Sequence, residues 1–453
     1  MGPKPTTRLQ VSGHRFLVRR MEHALLRGDV RMLDDPVRAQ SLSLVAGCVV
    51  AAIAVAACGM LALLRPHGTI GDAAIVMGRE SGALYVRVTD TLHPVLNLAS
   101  ARLIAGAPAN PEIVSDDTIT SAKRGPLLGI PGAPATIGEP LRSDESAWTV
   151  CDDHGSTTVV IGAVDHPGLD AGHAILVTDA AAGPATTYLL YDGRRARIDL
   201  RNSAVVRALR LDGVEPQLVS RTLLDLLPEA PAIAVPQIPQ AGSPGPAALG
   251  GLTVGTVVRM TRVDAEEHYV VLAHGVQRIG EVVADMIRFS VPQPDRELPT
   301  VAADAVAAVP ALDTLPISTY PSSAHVTKSA VVCTHWAAFE SKVLLGDSLP
   351  RGGRVTTLAQ ADGDGPNIDA VVAAAGRSAY VRSTGVVGGT PGSRFLVDDS
   401  GVVYGIYDEA AAKNVGLPDP PVSAPWPVLA HLPRGPELHK DAASLARDAL
   451  PPS

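Results

Sequence analysis

The sequence predicts an α+β protein with one membrane-spanning helix followed by a large β-rich region. Three observations predict it: a long uncharged apolar segment near the N-terminus, a strand, turn, strand and helix pattern that recurs four times after it, and the composition. The chain has 42 Gly and 38 Pro but only 3% aromatic residues. This composition favours short strands and turns over a helical bundle. At 453 residues, 46% of them hydrophobic, the chain can build more than one core.

The charges are distributed unevenly along the chain. The formal net charge of -8 provides no chain-wide basic surface, which sets nucleic-acid binding aside. Residues 1–40 nevertheless carry a net charge of +4, and the remaining residues carry -12. The two parts of the chain are therefore expected to face different environments.

An apolar segment separates these two parts. Between Arg38 and Arg65 lie 26 residues without a charge. As a helix, residues 42–64 would measure roughly 35 Å at about 1.5 Å per residue, enough to cross a hydrocarbon core of roughly 30 Å. Because basic flanks stay in the cytoplasm, we expect residues 1–40 inside and about 390 residues outside.

Two other interpretations of this segment are disfavoured. A cleavable signal peptide starts with a short basic region, whereas 40 residues precede the apolar segment here. Val55-Ala56-Ala57-Cys58 resembles a lipobox, but apolar residues continue beyond the cysteine to Leu64. A single transmembrane helix over residues 41–65 remains the prediction.

The basic segment contains a predicted amphipathic helix that ends at Gly28-Asp29. Its apolar residues at helical spacing are Phe16, Leu17, Met21, Ala24 and Leu25, and the basic residues beside them are Arg15, Arg19, Arg20 and His23. Binding to anionic lipid and docking on a protein are equally compatible with this pattern. We expect a protein partner, bound through Phe16, Leu17, Arg20, Met21 and Leu25.

The four cysteines fall into two pairs. Cys48 and Cys58 lie inside the predicted membrane helix, about 280° apart around its axis, and are interpreted as small apolar residues. Cys151 and Cys333 lie in short strand-like runs on the outer side. As the one pair in an oxidising compartment they are predicted to form a disulfide, the alternative being two separate buried thiols.

The recurring pattern begins at an aromatic residue in each of four windows. The first residues of the windows are Tyr85, Tyr188, Tyr269 and Phe395. Each opens a strand, reaches a turn rich in Asp and Gly, returns to an apolar β-branched residue and continues into a short helix. Asn97 and Asn202 stand where helix N-caps are expected. A unit of about 30 residues cannot bury its own apolar face, so neighbouring units must pack together.

The predicted organisation follows from these features. It comprises a basic segment (1–40), a transmembrane helix (41–65), repeat 1 (66–120), a first core part (121–174), repeat 2 (175–228), a Pro-rich linker (229–250), repeat 3 (251–291), a second Pro-rich linker (292–323), a second core part (324–378), repeat 4 (379–417) and a Pro-rich C-terminal segment (418–453). The two core parts carry the outer cysteines. We expect extended conformations in the proline-rich stretches.

One string looks catalytic. Gly346-Asp347-Ser348-Leu349 resembles the nucleophile block of GDSL hydrolases, which also needs a downstream Asp-x-x-His. The Asp-x-x-His motif at Asp170 to His173 precedes the serine and belongs to a different unit. We therefore interpret the string as a turn after a strand and predict no catalytic residue.

Nucleotide and metal sites are not predicted either. Residues 388–394 contain glycines but neither the spacing nor the lysine of a Walker A loop, and are interpreted as a flexible hairpin. Asp152-Asp153-His154 lacks the second histidine of a zinc helix. We expect no bound metal and no cofactor, with ATP considered only under an alternative function.

Several motifs resemble the EccB family, membrane components of mycobacterial type VII (ESX) secretion systems. They are Thr6-Thr7-Arg8-Leu9-Gln10-Val11-Ser12-Gly13, Ser81-Gly82-Ala83-Leu84-Tyr85, His93-Pro94-Val95-Leu96-Asn97-Leu98, Ser100-Ala101-Arg102-Leu103, Val276-Gln277-Arg278-Ile279-Gly280 and Pro425-Trp426-Pro427-Val428-Leu429. The resemblance covers nearly the whole chain. The short form of the chain and residues 123–134 look most like the EccB of the fourth ESX subsystem.

The resemblance implies a single-pass inner-membrane protein with a periplasmic domain of four ββα-type repeats around a disulfide-bonded core. It implies self-association through that domain inside a complex with EccC, EccD and EccE, near the mycosin protease. It also implies that EccC is the motor, although EccB proteins often carry an ATPase label.

Three functions are therefore weighed. The first is a structural core component that scaffolds a secretion channel, and the alternatives are an ATP hydrolase and a periplasmic cell-wall-binding protein. Nucleotide turnover separates the first two, and a pull-down on peptidoglycan separates the third. We expect the structural component.

Overall fold

The structure is a computed structural model that describes residues 7–28, 36–64, 70–179, 186–261, 266–290, 298–350, 353–363 and 365–447. Two compact units result, residues 1–69 and residues 70–453. The predicted unit boundary at residues 65–66, Asp29 of the predicted helix end, residues 291–297 of the second linker region and residues 448–453 lie outside the described residues.

The first unit contains two helices, α1 (Arg8–Arg27) and α2 (Pro36–Leu64). The start of α1 is fixed by the Thr7 backbone N–H, which donates to Gln10 Oε1 over 3.1 Å. Gly28 ends α1 in a left-handed conformation (φ 67°), and its N–H donates to the Ala24 carbonyl over 2.9 Å. Residues 41–60 of α2 are long and apolar enough to cross a membrane.

The second unit begins with a four-stranded sheet in the order β3-β2-β1-β4. Its elements, with the two short strands that follow them, are β1 (Ile75–Gly78), β2 (Leu84–Val88), β3 (Thr91–Pro94), α3 (Leu98–Ala105), β4 (Glu112–Val114), α4 (Asp116–Ser121), β5 (Leu127–Leu128) and β6 (Glu139–Pro140). β1, β2 and β3 are antiparallel, and β4 returns parallel to β1. Asn97 caps α3 as predicted, because its Oδ1 accepts from the Ser100 N–H over 2.9 Å.

A hairpin of β7 (Trp148–Asp153) and β8 (Ser156–Ile161) precedes the second sheet, whose order is β12-β9-β10-β11-β13. That sheet contains β9 (His173–Asp179), β10 (Thr187–Tyr191), β11 (Arg194–Ile198), α5 (Ser203–Ala208), β12 (Gln217–Val219), α6 (Arg221–Asp225) and β13 (Glu229–Ile233). Here β12 is parallel to β9 and β13 is parallel to β11. Asn202 caps α5, again as predicted.

The third sheet is a meander of three strands, β14-β15-β16. Its elements are a 3₁₀ turn (Ala247–Leu249), β14 (Val257–Thr261), β15 (Glu266–Leu272), β16 (Gly275–Ile279), α7 (Glu281–Ser290) and α8 (Ala303–Ala307). Single parallel bridges join Thr300 to Arg259 in β14 and Ala311 to Val276 in β16. The returning chain therefore follows the first and third strands, as it does in the first two sheets.

The central sheet has six strands in the order β19-β18-β7-β8-β21-β20. It is completed by β18 (Val331–Ala337), β19 (Glu340–Gly346), β20 (Arg354–Thr357) and β21 (Ala370–Ala373), after the short β17 (His325–Val326) has paired with β9. Trp148 and Trp336 stand opposite each other on β7 and β18 and are fully buried. Among the described residues, these two are the largest fully buried side chains, in a chain with few aromatic residues.

The last sheet has the order β24-β23-β22-β25. Its elements and those that follow are β22 (Arg377–Thr384), β23 (Arg394–Val397), β24 (Val403–Ile406), α9 (Glu409–Val415), β25 (Val422–Pro425), α10 (Trp426–His431), α11 (Lys440–Ala443) and β26 (Ala446–Arg447). β25 is parallel to β22, and bridges at Arg434 and Leu438 run parallel to β24.

The proline-rich stretches, expected to connect the units, carry secondary structure of their own. β13, α8, β25, α10 and α11 all lie in them. Leu315 and Ile317 from the second stretch and Val428 and Leu429 from the last are buried. The physical reason is that each stretch returns to the open edges of its sheet, where backbone pairing and apolar burial outweigh the preference of proline for solvated extended chain.

Candidate functional site

The disulfide lies in the middle of the central sheet. Cys151 on β7 and Cys333 on β18 are directly opposite in the antiparallel register, with Cα atoms 4.0 Å apart, and their sulfur atoms are bonded. Both residues are 0% exposed, and Val331 and Leu344 pack beside them. The bond joins two core segments that are 182 residues apart in the chain.

A buried carboxylate lies next to the disulfide. Asp152 accepts hydrogen bonds from the Ser220 N–H (2.6 Å) and from the Thr157 hydroxyl (2.8 Å). Burial raises the pKa of Asp152 to about 6, although these hydrogen bonds favour its charged form. Because Ser220 is the N-cap of α6, Asp152 links the central sheet to the second sheet.

A cavity of about 280 Å³ opens beside Asp152, between the β7–β8 hairpin and β12. Gln217 on its wall forms two hydrogen bonds with the Ser329 backbone, one to the carbonyl (2.8 Å) and one from the N–H (3.2 Å). Asp369, close by, accepts from the backbone N–H of Thr157 (2.7 Å) and of Gly363 (2.8 Å). The polar groups around this cavity therefore join segments of the fold to one another.

The sequence Gly346-Asp347-Ser348-Leu349, which resembles a nucleophile block, lies at the end of a strand and in the bend after it. β19 ends at Gly346, and Asp347 and Ser348 follow as exposed residues of a bend. His173 lies at the start of β9, where its ring packs 5.7 Å from that of His325. Among the described residues no hydrogen bond joins the Ser348 hydroxyl to a histidine. The string follows a strand, as the interpretation of a turn requires.

The glycine-rich motif and the Asp-Asp-His motif both lie in connections between strands. Residues 385–393 connect β22 to β23, with positive φ at Gly388 and Gly389, and the Val386 carbonyl in this connection accepts from Trp336 Nε1 over 2.7 Å. His154 lies in the turn of the β7–β8 hairpin, 3.6 Å from Asp153. Within the described part of the chain, no three His, Cys, Asp or Glu side chains are grouped as metal ligands.

The predicted partner-binding residues share the surface of α1. Phe16, Leu17, Met21 and Leu25 are 56%, 57%, 62% and 86% exposed, and Arg20 is exposed beside them. Exposed apolar side chains of this size need a covering surface, whether lipid or protein. His23, grouped with the basic residues in the sequence pattern, is instead buried.

Two features of the second unit could not be predicted from the sequence. The first is the link that Asp152 forms between two sheets. Its position next to Cys151 is the one weak indication in the sequence, which does not reveal that Ser220 approaches it. The juxtaposition of arginines on the last sheet, described below, depends on strand pairing alone.

Comparison with known proteins identifies the family. A family model described as "Type VII secretion system ESX-1, transport TM domain B" matches residues 3–452. The chain belongs to the EccB family. A Mycolicibacterium smegmatis family member named "ESX-3 secretion system ATPase EccB3" is 38% identical over 474 residues, covering 98% of this chain and 91% of the relative. In Mycobacterium tuberculosis, "ESX-5 secretion system ATPase EccB5" is 34% identical over 485 residues, covering 98% and 94%.

Solved structures of ESX complexes agree with this assignment. A chain in an intact ESX-5 inner membrane complex matches with a TM-score of 0.72 and 32% identity, covering 100% of this chain and 98% of that chain. An EccB3 dimer from the ESX-3 core complex matches with a TM-score of 0.71 and 34% identity, covering 83% and 100%. This EccB protein is therefore a structural core component of a type VII secretion membrane complex, and it self-associates.

Proposed function

We propose that this EccB protein crosses the inner membrane once, with residues 1–40 in the cytoplasm, and holds a rigid periplasmic scaffold on which the secretion channel assembles. The charge asymmetry along the chain supports this orientation, since the net charge is +4 over residues 1–40 and -12 from residue 41 onwards. The disulfide supports it independently, because such bonds persist in oxidising compartments.

The scaffold is proposed to consist of four copies of one unit around the central sheet. The support is the common order of the four outer sheets: three antiparallel strands, a helix, a returning segment parallel to the first strand, a short helix, and a segment parallel to the third strand. This unit is longer than the strand, turn, strand and helix pattern seen in the sequence, because its second half includes the proline-rich stretches.

The single observation that carries the scaffold proposal is the closure of the outer region on itself. β26, near the C-terminus, pairs with β5, and Arg447 Nε donates to the Gly129 carbonyl over 2.8 Å. Arg102 on α3 also donates to the Val415 carbonyl of α9 over 2.9 Å. A region whose first and last sheets are fastened together, with a disulfide between its core segments, holds a fixed shape when neighbours bind to it.

The proposed partners differ between the two sides of the membrane. α1 is proposed to dock on EccC and EccD in the cytoplasm, while the outer region pairs with a second copy and lies near EccE and the mycosin protease. The exposed apolar residues of α1 support a protein-facing role, and the arginines beside them also suit anionic lipid.

Two matched variants of α1 test this assignment. At about 100° per residue, Leu17 and Met21 lie about 40° apart, while Leu26 points about 180° away from Leu17. Leu17→Asp with Met21→Asp should lower copurification of EccC and EccD about tenfold or more, since apolar anchors contribute over 1 kcal/mol each at an interface. Leu26→Asp, at a residue that is 77% exposed, should leave recovery unchanged. Equal recovery from both variants would refute protein docking through this face.

ATP hydrolysis is the second candidate, because the curated relatives carry "ATPase" in their names. The sequence contains no Walker A loop, and the periplasm has no standing ATP supply, so we expect no phosphate release by the purified chain above background. The measurement compares the chain with an Asp347→Ala, Ser348→Ala variant. Turnover that survives repurification and falls in this variant would establish an enzyme.

A further inference from the structure

Two arginines face each other on the last sheet. In the antiparallel register of β22 and β23, Arg382 stands directly opposite Arg394. Ser423 on β25 is in register with Arg382 on the other side, so Arg394, Arg382 and Ser423 form one row across three neighbouring strands. All three side chains are half-buried. Like charges placed directly opposite each other destabilise a strand pair, so this arrangement needs an explanation.

The row lies on the face of the sheet that α9 partly covers. Tyr380, Leu396 and Tyr404 form the adjacent row on the same face, and they pack with Val415 of α9 in one buried cluster. The opposite face, which includes Val381, packs against the central sheet. The two guanidinium groups therefore lie beside a dry patch, where their mutual repulsion is screened less than in open solvent.

Neither arginine has a carboxylate partner among the described residues. Five arginines have a buried Nε without a hydrogen-bond partner: Arg195, Arg259, Arg377, Arg382 and Arg394. The first three form ion pairs through their other nitrogens, with Asp225 and Glu229, with Glu266, and with Glu145. In the described part of the chain, no ion pair or side-chain hydrogen bond involves Arg382 or Arg394.

Two acidic residues, Asp419 and Glu409, influence Tyr380 in the adjacent row. Burial raises the pKa of the Tyr380 hydroxyl, Asp419 and Glu409 add to the rise, and Arg394 and Arg382 oppose it. Neither acidic residue forms an ion pair with the two arginines in the described structure. The row therefore presents two positive charges, two planar donor forks and a hydroxyl, with no negative group bonded to any of them.

We propose that Arg382, Arg394 and Ser423 form a binding site for a phosphate group. Guanidinium forks match the paired oxygens of both carboxylates and phosphates. The charge balance decides between them: a carboxylate neutralises one arginine, whereas a phosphate monoester carries about -1.5 to -2 at pH 7 and has three acceptor oxygens. The site goes beyond the scaffold role, since it gives the last sheet a ligand of its own.

Binding of inorganic phosphate to the full-length chain in detergent tests the proposal by titration calorimetry at low ionic strength. We expect saturable binding with one site per chain. Arg382→Gln and Arg394→Gln should each weaken it about tenfold or more, since each removes a charge-assisted pair. The matched control is Arg278→Gln, which removes one charge from a side chain that is 69% exposed and already paired with Glu267. Absence of saturable binding, or equal loss in the control, would overturn the proposal.

Thermal unfolding distinguishes a variant that has lost the phosphate site from a variant that folds poorly. Phosphate should raise the Tm of the wild-type chain and leave that of the Arg382→Gln, Arg394→Gln double variant unchanged. Without phosphate, the double variant should unfold at a higher temperature than wild type, because the opposed charges are gone. A double variant that is less stable without phosphate, and still stabilised by it, would refute the site.

A second ligand identifies the source of the phosphate. Glycerol 3-phosphate is a phosphate monoester and carries the headgroup chemistry of phosphatidic acid. Binding of both ligands with similar affinity assigns an esterified phosphate, such as a lipid headgroup, and binding of inorganic phosphate alone assigns the free ion. Loss of both titrations in the double variant is required in either case.

Discussion

The second unit, residues 70–453, is closed at two places that differ in strength. The core clasp is the Cys151–Cys333 bond between β7 and β18, and the terminal clasp is the pairing of β26 with β5 together with the hydrogen bond from Arg447 to Gly129. Both join distant segments, 182 residues apart in the first and 318 in the second. The cysteines are 0% exposed in a six-stranded sheet, whereas the terminal strands are two residues long.

The two clasps should therefore affect different properties, the core clasp global stability and the terminal clasp local opening. A covalent bond across a long loop restricts the unfolded chain, so the core clasp affects the whole second unit. The terminal clasp consists of a few hydrogen bonds near the chain end, which open with little loss of buried surface. We therefore expect the core to define the fold and the terminal clasp to limit the movement of the last sheet relative to the first.

The largest expected effect comes from removing the core clasp. Cys151→Ser with Cys333→Ser should lower the free energy of unfolding by about 5 kcal/mol on the chain-entropy model for a loop of this length. Calorimetry of the detergent-purified chain measures it. Cys48→Ser with Cys58→Ser, which changes the two free cysteines of α2, is the matched control and should leave the unfolding transition of the second unit in place. Identical transitions in both variants would mean that the sheet holds without the bond.

The Asp152 carboxylate next to the core clasp should make stability depend on pH. Burial raises its pKa from 3.8 to about 6 in the folded chain. Between these two pH values the folded state therefore keeps a proton on Asp152 that the unfolded state has lost. Stability from this residue is therefore fully present below pH 4 and decreases as the pH rises to 6. The loss is about 3 kcal/mol, from roughly two pKa units at about 1.36 kcal/mol each.

Asp152→Asn isolates this contribution, because the amide keeps an acceptor for the Ser220 N–H and cannot ionise. The variant should be more stable than wild type at pH 7 and equally stable near pH 4, as measured by chemical denaturation at a series of pH values. The same pH profile in both proteins would show that the Asp152 carboxylate does not titrate in the folded state as described.

The smallest effect is expected at the terminal clasp. Arg447→Ala removes the donor to the Gly129 carbonyl and should cost about 1–2 kcal/mol, confined to local opening. Hydrogen exchange should speed up at the amides of β5 and β26 and stay unchanged in β7 and β18. Arg201→Ala, at a side chain that is 93% exposed, serves as control and should alter neither. Faster exchange in the central sheet of Arg447→Ala would break the distinction between the two clasps.

Features that depend on residues close together in the chain could be predicted from the sequence. The apolar run predicts a membrane-spanning helix, and α2 contains one candidate span among the described residues. Asn97 and Asn202 predict their helix starts, because a capping side chain bonds to backbone only two or three residues away. The family resemblance is confirmed over nearly the whole chain. The assignment to the fourth ESX subsystem stays a prediction.

The sequence by itself determined the long apolar helix, the basic N-terminal helix, the strands that carry Cys151 and Cys333, and the short antiparallel units, since each depends on residues close together in the chain. Only the tertiary structure decided that proline-rich stretches complete the sheets, that Ser220 approaches Asp152, and that Arg382 faces Arg394. These contacts depend on strand register and on the packing of distant segments. A one-residue change in register would move Arg394 to the opposite face of its sheet, and no local pattern in the sequence specifies that choice.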